Sequence, residues 1–416
     1  MPITRAQLAG AIGNAVEWFD FAIYGYFARV IGSQFFPNDS ASLQLLSAFG
    51  LFAVGYLMRP IGSLVLGPVG DFIGRRALLL ISVAVMSLCS LAIALLPTTA
   101  QWGMAAAWCL VALRMLQGLS VGGEFTGSVV ALVEGAPASR RGLHASFSAA
   151  GASLGFVAGS LAAALVNLLL SPDAVLRWGW RIPFLLGAAL GLWALSLRRD
   201  MIETRPDQPT PTLQGHAAAI GAQIPMMLRL MGASALGSVS LASITVFQVE
   251  ALSSLRPQFA TQYVTINTVN QAIGVGLILL GGALSDRFSA PLMARRTNLA
   301  IAVLVVPAML LSSSGLPMAF AVGQLALLVP LMLYSGIYPS LFPYLFPATS
   351  RCSAFSLSHS LVSALVGGTT PLVATWLLEG RQLLQGPAFY CLLWAVPTLL
   401  ALRGLERHTR AAEDVS

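Results

Sequence analysis

Five charged residues lie inside long apolar stretches of this sequence, where a charge is costly and usually functional. Three are acids and two are arginines: Glu17, Asp20, Arg59, Arg114 and Glu124. Glu17 and Asp20 are three residues apart, so they share one face of a helix. Burial favours the neutral form of a carboxyl group and a nearby arginine favours its charged form, so such an acid can exchange a proton. We therefore assign proton coupling to Asp20, Glu124 and Glu17.

Three of these residues also have a plainer interpretation. The spacing of Asn14 and Glu17 matches a capping box, in which Glu17 would only complete a helix start. Arg59 binds an anionic group or only neutralises an acid of a neighbouring helix. Glu124 carries the proton or forms a buried ion pair with Arg59. The sequence leaves these alternatives open.

A second set of polar residues is suited to binding a substrate. Arg114 lies well inside its apolar stretch, and its planar guanidinium can donate two parallel hydrogen bonds to a carboxylate. Gln117 follows one turn later and adds a neutral contact or packs between helices. Amides such as Asn270 bind neighbouring helices more often than ligands. With these alternatives open, we assign substrate binding to Arg114, Gln117, Arg59, Tyr24 and Asn270.

The composition places this chemistry in a membrane. Of the 416 residues, 9% are charged and 56% are hydrophobic, and the mean hydropathy is +0.79. Soluble domains carry roughly 25% charged residues. All 23 basic residues are arginine, which excludes a retinal pump with a Schiff-base lysine and a P-loop ATPase built from this chain alone. The four cysteines form no CxxC pair, so we predict no metal site.

Apolar stretches of about 20 residues, the length that crosses a bilayer, recur along the whole chain. We predict twelve spans, at 15–36, 45–67, 77–96, 103–133, 143–170, 181–197, 221–250, 261–283, 297–314, 317–346, 354–378 and 386–402. Arginines concentrate in both tails and in alternate loops. Short arginine-rich loops stay cytoplasmic, so we predict that both termini are cytoplasmic. The net charge of +7 then reflects topology, and we predict no nucleic-acid partner.

A polar, proline-containing stretch divides the spans into two sets of six. We predict an N-terminal bundle at 1–200, a cytoplasmic linker at 201–220 and a C-terminal bundle at 221–416. A GxxxD sequence follows the second span at Gly67–Asp71 and the eighth at Gly282–Asp286. This matched repeat favours an all-α membrane fold of two pseudo-symmetric six-helix bundles, as in many secondary transporters.

Several short motifs together resemble the major facilitator superfamily, and within it the metabolite:proton symporters of citrate, 2-oxoglutarate, shikimate, proline and betaine. The matching segments are Gly13–Phe21, Met58–Gly62, Gly67–Arg76, Arg114–Gly118, Gly122–Glu124, Arg140–Gly142, Gly179–Phe184 and Gly367–Pro371. The resemblance covers the whole chain. It implies the twelve-helix fold, alternating access, and a role for Arg114 in substrate binding and proton coupling.

The resemblance also implies a conformational latch in the loop after the second span and in its second copy. The latch residues would be Gly67, Asp71, Gly74, Arg75, Arg76, Asp286 and Arg287. A plainer interpretation is that these arginines only hold the loop in the cytoplasm. The loop departs from the family pattern at Phe72, where a basic residue is usual, so one charge pair of the latch is missing.

We predict a secondary active transporter that takes up a small polar metabolite with a proton. An organic acid with one to three carboxylates is our leading prediction. The alternatives are uptake of a zwitterion such as proline or betaine, and a proton-driven exporter or exchanger. No paired nucleophile and base occurs in the loops, so we expect no enzyme. We expect no cofactor besides the proton gradient, and a monomer in the bacterial inner membrane whose partners are substrate, protons and lipid.

Overall fold

The computed structural model describes residues 5–36, 41–205, 212–370, 373–374, 376–377 and 386–405, and its regular structure is helical throughout these residues. The N-terminal half contains helices α1 to α9. In chain order they are Arg5–Tyr26, Ala28–Phe35, Ala41–Phe72, Arg75–Leu95, Thr99–Trp102, Met104–Glu134, Arg141–Leu169, Pro172–Ala174 and Arg181–Arg199. A 3-10 turn at Ala138–Arg140 precedes α7, and a π-helical turn at Val175–Gly179 precedes α9.

The C-terminal half contains helices α10 to α18. They are Leu213–Ala222, Ile224–Ala242, Gln248–Leu255, Ala260–Ser285, Ala290–Ser313, Pro317–Leu341, Arg351–Val362, Gly386–Leu393 and Ala395–Leu402. A π-helical turn, Ser243–Phe247, joins α11 to α12, and another, Ser363–Gly367, extends α16. Short 3-10 turns lie at Pro257–Phe259 and Pro343–Leu345. The all-helical prediction is therefore confirmed for the described residues.

Eight helical stretches are long and apolar enough to cross a membrane, among the residues that the structure describes. They coincide with the third to tenth predicted spans. Helices α1, α3 and α16 and the pair α17–α18 lie at the positions of the other four. The eleventh predicted span, 354–378, falls partly outside the described residues. The count of twelve spans, and the division into bundles at 1–200 and 221–416, remain predictions.

Helix α1 begins well before the predicted start of the first span. It runs from Arg5 and ends at Tyr26, and α2 follows after a break at Phe27. Asn14 therefore lies in the middle of α1, where its amide donates to the Gly10 carbonyl (3.0 Å) and to Ser128 Oγ (2.8 Å). The capping-box interpretation of Asn14 and Glu17 is wrong, because a cap requires a helix terminus.

Close packing at glycines brings the charged helices together. A Cβ atom at Gly151 on α7 would overlap the Ala11 carbonyl of α1, and one at Gly122 on α6 would overlap the Arg59 carbonyl of α3. Small residues permit such backbone approach between helices in a membrane. As a result α1 is held against α7, and α3 against α6. The predicted charged residues of α1, α3 and α6 therefore meet inside the N-terminal half.

Candidate functional site

Asp20 and Arg114 form an ion pair in the interior of the N-terminal half. Asp20 Oδ2 accepts from Arg114 Nη1 at 3.1 Å and from Gln117 Nε2 at 2.8 Å. Asp20 Oδ1 accepts from Ser90 Oγ at 2.5 Å, and Gln117 Oε1 accepts from Arg114 Nη1 at 2.8 Å. Both members of the ion pair have 0% exposure. The structure thus brings one predicted proton acid and two predicted substrate residues into one network.

Arg114 is only partly used by this network. Its Nε and Nη2 atoms are buried and have no hydrogen-bond partner. The ring of Tyr24 lies 4.1 Å from the Arg114 Cζ atom, and the ring of Phe21 lies 5.1 Å from it. A buried guanidinium with unpaired N–H groups carries a desolvation cost that an incoming acceptor would relieve. The side of Arg114 that carries Nε and Nη2 is therefore suited to donate hydrogen bonds to a carboxylate.

Glu17 and Arg59 form a second, looser pair on the other side of Phe21. Glu17 Oε1 lies 3.4 Å from Arg59 Nη2. The Arg59 Cζ atom lies 4.8 Å from the Phe21 ring and 4.2 Å from the Tyr56 ring, and 5.6 Å from the ring of Trp18. Of the open alternatives for Arg59, the structure shows its contact with an acid of the first span.

Glu124 is paired with a residue that we did not select from the sequence. Arg198 holds both carboxylate oxygens of Glu124, at 2.9 and 2.5 Å. It also donates to the carbonyls of Ala9 (3.0 Å) and Leu79 (2.8 Å). The alternative in which Glu124 pairs with Arg59 is therefore wrong. The sixth span was predicted to end at 197, just before Arg198, but α9 continues to Arg199 and Arg198 is completely buried.

One residue of the N-terminal family motif, Gly13, is explained by this pair. A Cβ atom at Gly13, the first residue of the N-terminal family motif, would overlap the Arg198 guanidinium and the Glu124 carboxylate. Only glycine leaves room there for the ion pair. The motif thus includes a position required by a residue 185 places away in the chain, a relation that only the structure makes visible.

The first GxxxD sequence joins the two halves of the molecule. Asp71 at the end of α3 accepts from the backbone N–H groups of Cys352 (3.0 Å) and Ser353 (2.9 Å), at the start of α16, and from Ser353 Oγ (2.7 Å). Its carboxylate also lies 3.6 Å from Arg75 Nη1. A Cβ atom at Gly67 would press on the Ser353 backbone. Asp71 thus caps the positive end of a helix in the opposite half.

The second GxxxD sequence makes the matching contact in the reverse direction. Asp286 accepts from the backbone N–H groups of Gly142 (2.6 Å) and Leu143 (2.9 Å), at the start of α7. A Cβ atom at Gly282 would overlap the Ser146 side chain and the Gly142 carbonyl. Each half therefore supplies one aspartate to a helix start of the other, and both contacts lie at the arginine-rich end that we predict to be cytoplasmic.

Glu134 strengthens the same end with a bridge between two arginines. It accepts from Arg75 Nε at 3.0 Å and from Arg351 Nη1 at 2.7 Å. Arg351 belongs to α16, so this bridge also joins the halves. Neither Glu134 nor Arg351 stands out as a latch residue in the amino-acid sequence.

Among the residues that the structure describes, Gly74, Arg76 and Arg287 of the predicted latch make no hydrogen bond between the halves. Arg76 is exposed and donates to the Arg199 carbonyl within the N-terminal half. Arg287 is exposed. Gly74 has a positive φ of 140°, which glycine adopts without strain, and it is the N-cap residue that precedes α4. The Arg75 and Arg76 N–H groups at that start donate to Glu203, at 2.8 and 3.1 Å.

Phe72 packs on the helix that follows the linker. Its ring lies 4.6 Å from the ring of His216 on α10. His216 Nε2 lies 3.1 Å from Ser353 Oγ and 3.9 Å from Asp71 Oδ2. At the position where the family usually has a basic residue, Phe72 therefore makes an aromatic contact in place of a charge pair.

The polar residues of the C-terminal half form a separate, neutral network. Asn270 donates to Gln324 Oε1 at 2.9 Å, and Gln324 Nε2 donates to Asn267 Oδ1 at 2.8 Å. The same Gln324 nitrogen also donates to the Ile244 carbonyl at 3.0 Å, in the π-helical turn after α11. Asn270 is thus engaged with its own half.

Known proteins resemble this chain in sequence and in fold. A family model described as "Sugar (and other) transporter" matches residues 6–199. The proline/betaine transporter of Salmonella typhimurium is 32% identical, over 99% of this chain and 87% of that relative. The glycine betaine/proline/ectoine/pipecolic acid transporter OusA of Dickeya dadantii is 33% identical, over 100% of this chain and 87% of that relative.

Among solved structures, the proton:xylose symporter XylE bound to 6-bromo-6-deoxy-D-glucose has a TM-score of 0.78 at 15% identity, over 96% of this chain and 94% of that one. At this identity the likeness shows the fold. The relatives by sequence are named for zwitterions. The comparisons therefore favour the alternative prediction of a zwitterionic substrate over the leading prediction of an organic acid.

Proposed function

The chain belongs to the major facilitator superfamily, within its metabolite:proton symporter family, and we propose that it takes up a zwitterion such as betaine or proline together with a proton. It is a multi-pass membrane transporter. We place it in a bacterial inner membrane with both termini in the cytoplasm, working as a monomer on the proton gradient alone. The similarity to transporters of betaine and proline supports this choice of substrate.

The observation that carries the proposal is the half-used guanidinium of Arg114. Its Nη1 is held by Asp20 and Gln117, while Nε and Nη2 remain buried without an acceptor. These two N–H groups can donate in parallel to the carboxylate of a zwitterion. The substrate carboxylate would thus bind opposite the Asp20 carboxylate, on the same cation.

Competition for Arg114 links the substrate to the proton. With the site empty, the Asp20 carboxylate balances the charge of Arg114 in a medium of low dielectric constant. When the substrate carboxylate takes over that balance, Asp20 is free to bind a proton and become neutral. The substrate carboxylate then replaces the Asp20 carboxylate as the counterion of Arg114. Because a zwitterion has no net charge, the loaded site carries one more positive charge than the empty site, that of the proton. Proton and substrate therefore favour each other's binding, and this mutual coupling is what symport requires.

Aromatic rings supply the second half of zwitterion recognition. The rings of Phe21, Tyr24, Tyr56 and Trp18 lie beside the two arginines. Faces of aromatic rings attract quaternary ammonium groups, which cannot donate hydrogen bonds. A carboxylate on Arg114 and a cationic group against a ring fit one small zwitterion, whereas a second carboxylate would gain nothing from the rings.

Alternating access in this proposal depends on the paired aspartates. Asp71 and Asp286 hold the arginine-rich end closed by capping α16 and α7. For the substrate to leave on that side, both caps must break and re-form in each cycle. Gly67, Asp71, Arg75 and Asp286 would serve as the latch.

A binding panel tests the proposed function. Purified protein is heated with betaine, proline, citrate or 2-oxoglutarate, because a ligand that binds the folded state raises the melting temperature. We expect stabilisation by the zwitterions, and its loss in Arg114→Lys, which keeps the charge but not the paired donors. Arg177→Lys, at an exposed arginine, is the matched control. Stabilisation by the organic acids alone would reject the proposal.

Counterflow in vesicles distinguishes uptake from export. Labelled substrate is exchanged with and without an imposed pH gradient. A symporter accumulates the label when the outside is acidic. Accumulation with the gradient reversed would support the alternative, a proton-driven exporter or exchanger.

A further inference from the structure

A small cavity lies between α1, α4 and α6, one turn from the Asp20 and Arg114 pair toward the arginine-rich end. Its volume, counted for the centre of a water molecule, is about 10 Å³, and a water needs roughly 10 to 15 Å³ by that measure. Two carboxylates and two hydroxyls line it. The lining residues are Gly13, Glu17, Ser82, Val83, Met86, Ser120, Val121 and Glu124.

Glu17 is the lining residue whose bonding is incomplete. Its exposure is 2%, its Oε1 lies 3.4 Å from Arg59, and its buried Oε2 has no hydrogen-bond partner. A buried carboxyl oxygen without a partner costs free energy that a water molecule or a proton would recover. Glu124 differs, because Arg198 already holds both of its oxygens.

The two serines can complete a water site. Ser82 Oγ donates to the Ser120 carbonyl at 2.9 Å, and Ser120 Oγ donates to the Gln117 carbonyl at 2.8 Å. Each hydroxyl oxygen therefore keeps lone pairs that can accept from water. With Glu17 Oε2, the cavity offers a water the two to four polar partners that a buried water requires.

The charges that face Glu17 come from every side. Arg59 on α3, Glu124 on α6 and Arg198 on α9 act on it electrostatically. Asp20 is one turn away on α1, and His359 on α16 interacts electrostatically with Arg59. Helix α4 contributes a hydroxyl, Ser82. Arg198 holds both oxygens of Glu124, whereas Arg59 lies near only one oxygen of Glu17, so Glu17 is the acid at this level that is better placed to change its charge by one proton.

We infer that the cavity holds one water molecule and that Glu17 is a second proton-holding acid, below Asp20. The proton leaves the Asp20 carboxyl and binds the Glu17 carboxylate, and the restored Asp20 carboxylate pairs again with Arg114. Glu17 then passes this proton to the cavity water, and the water releases it toward the arginine-rich end. The biological role of this step rests on the proposed function, whereas the site itself does not.

Difference infrared spectroscopy of the purified full-length protein, without substrate, tests the site. A pH titration reports protonated carboxyl groups by their C=O stretch. We expect one band that disappears in Asp20→Asn and a second that disappears in Glu17→Gln. If no band depends on Glu17, or if sodium ions replace the proton at this group, the inference is wrong. A failure of betaine and proline to bind would instead reject the proposed function and leave the Glu17 band in place.

Filling the cavity gives an independent test. Val83→Leu adds apolar volume to the lining, and Val85→Leu, on the same helix but outside the cavity, is the matched control. We expect Val83→Leu to shift the Glu17 band and to slow proton-driven uptake by about 100-fold, the scale of losing a positioned proton-transfer group. The control should leave both unchanged. Normal uptake in Glu17→Gln, which preserves the shape of the side chain, would overturn the relay even if Val83→Leu fails to fold.

Discussion

The interiors of the two halves are built from different polar groups. Away from the latch, the described interior of the N-terminal half holds three buried ion pairs, Asp20 with Arg114, Glu17 with Arg59, and Glu124 with Arg198. Arg75 forms further buried ion pairs with Asp71 and Glu134 at the arginine-rich end. The C-terminal half, at the described residues, uses neutral amides, with Gln324 bound to both Asn267 and Asn270.

The physical cost of the two solutions explains the difference. A buried ion pair must recover a large desolvation penalty, whereas an amide network carries no net charge. Amides serve to fix helices against one another at lower cost. Charges are worth their cost where a proton or an anion must change the balance during function. From this comparison we infer that the proposed proton chemistry lies in the N-terminal half, and the following experiments challenge that inference.

The largest effect is expected from Asp20→Asn, which removes the proton site and keeps the shape of the side chain. Proton-driven accumulation should fall by about 100-fold or more, because the amide at position 20 cannot bind and release a proton when substrate reaches Arg114. Uptake of labelled betaine into vesicles with an imposed pH gradient measures this. Asp200→Asn, at an exposed aspartate, is the control. Full accumulation in Asp20→Asn would remove this residue from the mechanism.

The second effect is one of stability. Arg198→Leu leaves the Glu124 carboxylate buried without a partner, and such a loss costs about 3 to 5 kcal/mol. The melting temperature of the purified protein should drop sharply. Combining Arg198→Leu with Glu124→Leu should recover much of it, since apolar pairs often replace buried ion pairs without loss.

The exposed Arg199→Leu serves as the control for this pair. If the double variant keeps its stability but loses its proton-driven uptake, the pair takes part in coupling. If uptake persists, the pair is structural and the comparison narrows to Asp20 and Glu17.

The matched aspartates of the latch should give a smaller and unequal effect. A carboxylate at a helix N-terminus contributes about 0.3 to 1 kcal/mol, and up to about 2 when partly buried. Asp71 is buried and receives three hydrogen bonds, whereas Asp286 is half-buried and receives two. We expect Asp71→Asn to favour opening of the arginine-rich end more than Asp286→Asn does.

The buried thiol of Cys352 reports that opening, because the backbone N–H group of Cys352 donates a hydrogen bond to Asp71 in the closed state. Mass spectrometry after treatment with a permeant maleimide measures its labelling rate. We expect a rise of roughly 5- to 30-fold in Asp71→Asn, as 1 to 2 kcal/mol implies. Cys391, buried in the C-terminal half, is the internal control. Equal rises in the two variants would show that the two caps contribute alike.

The smallest effect is expected in the amide network. Asn270→Ala removes a hydrogen bond to Gln324 and a longer one, of 3.3 Å, to the Ala321 carbonyl. Such interhelical bonds contribute about 0.6 kcal/mol each on average in membrane proteins. Thermal stability should fall slightly, and the pH dependence of uptake should not change. A changed pH dependence would contradict the neutral role of the C-terminal half. Gln262→Ala, at an exposed amide on the same helix, is the control.

The order of the helices could be predicted from the sequence, because hydropathy over about 20 residues is a local property. The third to tenth predicted spans match described helices. The start of the first helix was missed because the first turn of α1, near Arg5, is more polar than the rest of the helix. The π-helical turn that joins α11 to α12 was missed as well, since nothing in the sequence of Ser243–Phe247 marks it.

Within the candidate site, the sequence identified Asp20, Arg114 and Gln117 because a charge or an amide in an apolar stretch is conspicuous. It missed Arg198 and Glu134, which lie at the ends of helices where a charge is ordinary. Whether such a residue faces lipid, water or a partner depends on helix rotation and depth, and these are set by contacts between distant segments.

The helical membrane class, the positions of the buried charges and, through the motifs, the family could all be inferred from the amino-acid sequence. These properties depend on residue type along short stretches. The partners of the charges could not be inferred in this way. They became known from the fold, in which Glu124 pairs with Arg198, Asp71 and Asp286 cap helices of opposite halves, and Glu17 borders a cavity. Those relations arise when glycine-lined helices pack closely, because packing fixes which atoms remain without a partner.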